Sequence, residues 1–220
     1  MTNVVYGLTT WLACALFYGA STASMAADTL ISATDPEPAR VVLRGLQFPV
    51  EQPVAFSEQQ FNPMLKKPIV SRGQVWLEAD GTMVMQLQSP TVEQRRLLGD
   101  RLSLIRAAGT DQNGRPDAGI ERHLKLNPKR STHVVLLAAN AVLSGEHGWL
   151  QQQFALSLNK PEPTANATQA WELLLVPIDA ELRHQLSWIQ LMGNASELRS
   201  LRADRGRKGW QQLEFHSPKL

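Results

Sequence analysis

Short segments of alternating apolar and polar residues, separated by tight turns, recur through this sequence from residue 54 onward. In residues 82–88 (TMVMQLQ), Met83, Met85 and Leu87 fall on one face of a strand and the intervening residues on the other. Asp80-Gly81, just before this segment, is a typical hairpin turn. Because strands joined by turns this short pair antiparallel, the pattern predicts an antiparallel meander and not a parallel sheet.

The rest of the chain extends this pattern into an α+β fold with one large antiparallel sheet. We predict helices at residues 35–47, 133–144, 146–152 and 179–186, with Asn127-Pro128 as the start of the second and Gly145 as its left-handed cap. Residues 109–119 and 160–169 are rich in turn formers and are predicted loops. The predicted strands are residues 55–61, 69–79, 82–88, 91–98, 101–107, 121–126, 154–159, 171–176, 188–192, 197–203 and 210–216.

Composition excludes several classes of protein. The 220 residues are 43% apolar and 19% charged, which is ordinary for a globular chain and excludes a disordered one. The formal net charge is only +2, which gives no support for a nucleic-acid partner, since such partners require a strongly basic face.

Residues 1–26 contain no charged side chain and are predicted to be a secretory signal peptide. Residues 8–20 are mostly apolar and residues 21–26 are small, so cleavage is expected after Ala26, or alternatively after Ala23. Secretory signals usually carry a basic residue before the apolar run, and none is present here. A membrane anchor is the alternative, but the run is shorter than the roughly 20 residues that span a bilayer. The prediction is therefore an exported, periplasmic domain at residues 27–220.

Cys14 is the single cysteine, so the chain forms no internal disulfide and no thiolate zinc cluster. A lipoprotein signal requires a Leu-like residue three positions before the cysteine, whereas Trp11 stands there. We interpret Cys14 as part of the discarded signal, with its lipidation left open as the alternative.

Five phrases, in order along the chain, together resemble a known family. They are Phe56-Ser57-Glu58-Gln59, the SRGQVWL run at 71–77, LGDRL at 98–102, WELLLVP at 171–177 and IQLMG at 189–193. Their order and spacing resemble the LolA-like superfamily of periplasmic outer-membrane lipoprotein carriers, over residues 54–218. The Trp-x-Leu-x-Leu-x-Pro phrase is similar to a divergent branch associated with lipid or polyene biosynthesis and export.

This resemblance implies an unclosed, strongly bent sheet, a half-barrel, with helices covering its concave face. It also implies a monomeric carrier of acylated lipoprotein or lipid cargo, an inner-membrane donor and an outer-membrane acceptor, and no cofactor. Two departures stand out: the turn at Glu78-Ala79-Asp80-Gly81 lacks the family's basic residue, and the first helix is shorter. Both departures count against lipoprotein cargo more than against lipid binding in general.

An acyl carrier needs an adaptable apolar lining, which Met side chains suit, and residues 133–144 form a helix that is apolar on nearly all sides. The alternative is that the same residues simply fill a sheet core, as apolar strand faces ordinarily do. The candidate acyl-chain lining comprises Phe56, Val75, Leu77, Met83, Met85, Leu87, Leu136, Leu143, Phe154, Leu156 and Leu158.

No pattern indicates an enzyme. The five histidines show no metal-binding spacing, and neither a nucleophile elbow nor a phosphate-binding loop is present. Ser144 with His147 is interpreted as a helix end followed by a surface histidine, and Asp179 with Glu181 as the first turn of a helix. We therefore predict no catalytic residue and no metal site. The main alternative function is a non-catalytic envelope scaffold or an accessory protein of a lipid or polyene export system.

A basic run closes the sequence at Arg199, Arg202, Arg205, Arg207 and Lys208. We interpret it as a solvated hairpin at the edge of the sheet, where charges discourage pairing with other chains. The alternative is a docking patch for an acidic membrane surface or an acidic partner.

Overall fold

The computed structural model describes residues 37–46, 48–106, 119–159 and 170–216. The predicted signal peptide at residues 1–26 lies outside these ranges, as do the loop at 160–169 and nearly all of the loop at 109–119. Within them, every predicted strand and helix is present, with ends shifted by a few residues.

Alternation of apolar residues produces the strands at the expected places, and each is closed by the turn that follows it. The strands are β1 Val54–Phe61, β2 Ile69–Leu77, β3 Met83–Ser89, β4 Glu93–Leu98, β5 Arg101–Arg106, β6 Ile120–Lys125, β7 Phe154–Asn159, β8 Ala170–Pro177, β9 Trp188–Asn194, β10 Glu197–Asp204 and β11 Trp210–His216. The helices are α1 Glu37–Gly45, α2 Ser131–Ser144, α3 His147–Gln153 and α4 Ala180–Arg183, with a 3-10 turn at Gly206–Lys208.

All described strands belong to one antiparallel sheet in the order β6-β5-β4-β3-β2-β1-β11-β10-β9-β8-β7. Two meanders, β1–β6 and β7–β11, meet along the β1–β11 ladder, where Phe56 is paired with Phe215. The sheet does not close, because β6 and β7 lie at opposite edges of its described part.

The connection between the two edge strands places the helices over the sheet. After β6 the chain must reach β7 at the far edge, and α2 and α3 form most of that crossing. α2 contacts β3 near the middle of the sheet, α3 contacts β7, and α1 contacts both β7 and α3. The fold is therefore the predicted α+β half-barrel with helices across one face. Among the described helices, none is long and apolar enough to cross a membrane.

The ends of α2 follow from local hydrogen bonds. Gly145 takes the left-handed conformation, φ 79°, which confirms the predicted cap. The predicted start at Asn127-Pro128 is wrong, because α2 begins at Ser131. The Asn127 side chain accepts from the Lys129 amide at 2.9 Å, and the Arg130 amide donates to the Asn127 carbonyl at 3.0 Å. These bonds form a turn in place of the first helical turn.

The predicted edge position of the basic run is also wrong. β10 is paired with β9 on one side and β11 on the other, and β11 is paired with β1. Arg202 lies 5.1 Å from the centre of the Trp210 ring, and Arg205 is buried. Three members of this run are exposed: Arg207 and Lys208 lie in the β10–β11 loop, and Arg199 lies near the opposite end of β10.

Candidate functional site

The register of β1, β2 and β3 gathers apolar side chains on the inner face of the sheet, the face that the helices cover. Val75 is opposite both Val54 and Met85, and Leu77 is opposite Met83. Because side chains at directly paired positions point to the same face, these residues form continuous rows across the strands. All five are buried.

The other half of the sheet continues the same face. Leu156 on β7 is opposite Leu175, which is opposite Ile189 on β9. Trp171 is opposite Gly193 and covers it so closely that an added Cβ would lie 2.1 Å from the ring. The indole N–H of Trp171 donates to the Ala195 carbonyl at 2.8 Å, which fixes the ring in place. This half of the inner face is a dense layer of Leu, Ile and Trp.

α2 covers this surface with a helix that is apolar on almost every side. Ten of its fourteen residues are buried, which agrees with the rule that such helices lie inside a protein. Leu143 is 7% exposed, whereas Leu136 is only partly buried. α1 contributes two fully buried side chains, Ala39 and Leu43, to the same cluster.

All candidate lining residues belong to this one hydrophobic cluster. Leu136 and Leu158 are partly buried members at its margin. The buried members are Phe56, Val75, Leu77, Met83, Met85, Leu87, Leu143, Phe154 and Leu156. The strand residues selected from the sequence thus share the inner face of the sheet, and Leu136 and Leu143 belong to α2, the helix that covers it. That they line a space for acyl chains stays a prediction.

A protein-family model described as "Outer membrane lipoprotein carrier protein LolA-like" matches residues 32–215, which is most of the chain. The chain belongs to the LolA-like family. No curated protein matches the sequence.

Several solved structures are similar to this LolA-like chain. A LolA superfamily protein from Nitrosomonas europaea is 10% identical, with 86% of this chain and 96% of that chain covered and a TM-score of 0.40. A putative outer membrane lipoprotein-sorting protein domain from Vibrio parahaemolyticus is 9% identical, with 88% and 95% covered and a TM-score of 0.36. The Pseudomonas aeruginosa MucA/MucB complex is 13% identical, with 81% of this chain and 53% of that chain covered and a TM-score of 0.36. This chain therefore spans about half of that MucA/MucB chain.

The turn in which this LolA-like chain lacks a basic residue carries an ion pair instead. The Glu78 carboxylate accepts two hydrogen bonds from Arg96 on β4, at 2.7 and 2.5 Å. The turn itself is closed by the Gly81 amide, which donates to the Glu78 carbonyl at 2.9 Å. A basic side chain reaches the turn from the neighbouring strand.

A chain of polar contacts crosses the inner face at the end where β4 begins. Gln211 donates to the Glu58 carboxylate at 2.6 Å, and Arg95 lies 3.7 Å from the same carboxylate. Arg95 also donates to Glu93 at 2.8 Å, and Arg106 reaches Glu93 at 3.2 Å. Glu58 lies on β1 and Arg95 on β4, and β2 and β3 separate these strands in the sheet. The Glu58 and Arg95 side chains meet because the sheet curves strongly.

Sequence reasoning missed this polar chain, although its signal is present. Glu93, Arg95 and Leu97 occupy alternate positions in β4, so their side chains point to the same face of the sheet. Leu97 on this face is fully buried. Partial burial raises the pKa of Glu93, but hydrogen bonds and charge from Arg95 and Arg106 outweigh burial and hold that pKa below its usual range. Glu93 therefore stays ionised at neutral pH.

The structure also tests the Ser144 and His147 pair. Ser144 Oγ and His147 Nε2 are both buried without a hydrogen-bond partner in the described parts of the chain, so they do not bond to each other. The prediction of a surface histidine is wrong, because α3 packs against α1 and α2 and leaves His147 partly buried, with its Nε2 atom shielded from solvent. Within the described residues, no group of three or more His, Cys, Asp or Glu is placed to hold a metal ion.

Proposed function

We propose that this LolA-like protein is a non-catalytic periplasmic carrier that shields acyl chains between its inner sheet face and its helices. The observation that supports this most is the continuous apolar face covered by α2, a helix with ten buried residues of fourteen. Each methylene removed from water contributes about 0.8 kcal/mol, so a single acyl chain supplies on the order of 10 kcal/mol before ordering costs.

The manner in which the helices are connected supports this proposal. α2 and α3 lie within the segment that links the edge strands β6 and β7. An outward movement of these two helices would therefore break no pairing between strands. Met83 and Met85 lie beneath, and Met side chains adapt to flexible ligands at low cost. The cargo is an acylated lipoprotein or lipid, taken from an inner-membrane donor and delivered to an outer-membrane acceptor.

One observation favours the alternative of a scaffold without cargo, or of an accessory protein in lipid or polyene export. Nine of the eleven candidate residues are already buried against one another, as in a filled core. In a carrier the helices must move apart to admit a chain, whereas in a scaffold they remain packed.

Titration with a fluorescent fatty acid, together with native mass spectrometry of protein purified from the periplasm, separates these functions. A carrier contains copurified acyl lipid and binds the probe. The Met85→Glu variant, on the inner face, is expected to lose binding, whereas Gln86→Glu, on the opposite face of the same strand, retains it.

Leu158→Gln provides a second test, because Leu158 is only partly buried and its replacement preserves the core. We expect it to weaken binding of the fatty acid in a protein with unchanged circular dichroism. A wild-type protein that is empty after purification and has no affinity for the probe contradicts the carrier function.

A further inference from the structure

The loop between β1 and β2, residues 62–68, exposes an apolar tip followed by two cations. Met64 is 91% exposed and Leu65 is 39% exposed. Lys66 and Lys67 are exposed as well, and neither forms an ion pair with any residue that the structure describes. Nothing within the described fold accounts for these four side chains.

Hydrogen bonds within the loop fix the conformation of this tip. The Leu65 amide donates to the Asn62 carbonyl at 2.8 Å, which closes a β-turn with Pro63 and Met64 at its centre. The Asn62 side chain accepts from the Met64 amide at 3.0 Å. Because the turn is fixed by its own hydrogen bonds, little further ordering is needed when the tip meets a partner.

The β10–β11 loop, residues 205–209, lies directly beside it. Phe61 is paired with Trp210, and a Cβ on Gly209 would lie 2.0 Å from the Phe61 carbonyl oxygen. Gly209 therefore permits a close approach that brings the exposed Arg207 and Lys208 next to the first loop. Neither loop contains an acidic residue.

Aromatic side chains stand at the base of the two loops. Phe61 and Trp210 are stacked with their ring centres 6.1 Å apart, and both are partly exposed. Arg202 covers the Trp210 ring. An apolar tip, adjacent cations and partly exposed aromatic rings are the combination found where proteins enter the interfacial region of a bilayer.

The two ends of the sheet differ in character. The turns at the opposite end carry Asp80 together with Glu78 and Asp100, whose charges are compensated by Arg96 and Lys125. Large exposed apolar residues are concentrated at the end of the two loops, where seven of the twelve in the described residues lie: Met64, Leu65, Ile69, Val70, Val92, Ile120 and Ile178. The apolar tip and the exposed cations of the two loops therefore lie at the end of the sheet where most of the exposed apolar side chains are found.

We propose that these two loops dock the protein on an anionic lipid surface. Met64 and Leu65 enter the headgroup region, while Lys66, Lys67 and Arg207 contact lipid phosphates and other anionic groups. A protein interface fits less well, because it requires about 800 Å² of matched surface on each partner, and the protruding apolar tip here is two side chains. This inference does not rest on acyl-chain carriage.

Co-sedimentation with lipid vesicles tests the proposal on protein purified from the periplasm. We expect binding to vesicles that contain phosphatidylglycerol, weaker binding to pure phosphatidylcholine, and loss of the difference at high salt, where charges are screened. Equal binding to both kinds of vesicle, or no binding to the anionic ones, overturns the proposal. Binding of a protein by these loops would not restore it.

Matched variants locate the binding surface. Met64→Ser with Leu65→Ser is expected to weaken binding at least about tenfold. Lys66→Gln and Lys67→Gln are each expected to weaken it roughly fivefold. Leu98→Ser and Lys125→Gln, exposed residues at the opposite end, serve as controls and should bind as the wild type does. Loop variants that bind as tightly as the wild type overturn the proposal.

A probe at the tip gives a second, independent measurement. In a Cys14→Ser background, Met64→Cys labelled with an environment-sensitive dye should shift to shorter wavelength on anionic vesicles, whereas labelled Leu98→Cys should not. The loop variants should still bind the fluorescent fatty acid in solution, so failure of docking and failure of carriage are distinguished. An unshifted probe at residue 64 contradicts insertion.

Discussion

His147 is a titratable side chain held in a partly apolar setting between helices. Burial lowers its pKa, a hydrogen bond with the Val142 carbonyl opposes this, and the charge of Arg44 lowers it further. The folded protein therefore favours the neutral ring. The stability that this contributes is complete above the unfolded pKa of about 6.5 and is lost as the pH falls through the lower folded value.

We expect the free energy of unfolding to fall as the pH is lowered from about 7 to 5, with His147 as one cause. His147→Gln should flatten the pH dependence, because glutamine does not titrate. His184→Gln, at an exposed position on the same protein, is the control for replacing a histidine by glutamine. Urea unfolding at several pH values measures both, and identical curves for the two variants would show that His147 is not the cause.

The β8–β9 ladder depends on a close fit between one glycine and one aromatic ring. A Cβ at Gly193 would lie 2.1 Å from the Trp171 ring and 2.3 Å from the Glu197 carbonyl oxygen. The ring is held by its hydrogen bond to Ala195, so it has little freedom to move aside. Pairing of these strands therefore requires glycine at position 193.

Gly193→Ala is expected to destabilise the protein by about 2–3 kcal/mol, as overpacking commonly does. Gly148→Ala is the matched control, because Gly148 lies in α3 with no atom within 4 Å of an added Cβ, and alanine favours the helix. Thermal or urea unfolding compares the two. An equal effect at both positions would contradict the close fit at Trp171.

Across the whole molecule, the curvature of the sheet brings charged groups together from strands that are not neighbours. Glu58 is 6% exposed and is held by Gln211 and Arg95. Removing one member of a buried charge pair leaves the other without compensation, which costs more than the pair itself contributes. Arg95 therefore stabilises the curved form of the sheet.

Arg95→Met should cost about 2–4 kcal/mol, because it leaves both Glu58 and Glu93 short of a cation. Arg106→Met should cost less than about 1 kcal/mol, since that side chain is 56% exposed. Urea unfolding at neutral pH gives both values. A small effect at Arg95 would mean that the sheet keeps its curvature without this contact.

The sequence is sufficient to predict each strand, and in β3 it also predicts which side chains share a face. Alternation placed Met83, Met85 and Leu87 together, and the register confirms that they share the buried face. The sequence analysis assigns no face to the strand at residues 91–98, and charged side chains are ordinarily exposed, so the inward Glu93 and Arg95 were missed. Their partners come from distant strands, and no local pattern records such a contact.

The position of the basic run was missed for a related reason. A terminal hairpin looks like an edge until its partner is known, and the partner of β11 is β1. The Gln211–Glu58 contact on this ladder joins residues 153 positions apart. Local sequence shows that each strand exists, whereas the order of strands in the sheet depends on pairings between remote segments.

The β1–β11 ladder also has a consequence for how the chain folds. Each meander can form from neighbouring segments, but the ladder that unites them must close a loop of about 150 residues, which carries the largest entropic cost in the sheet. Contacts of such long range slow folding. We therefore expect the two half-sheets to form early and join late, with the first and last strands completing the molecule.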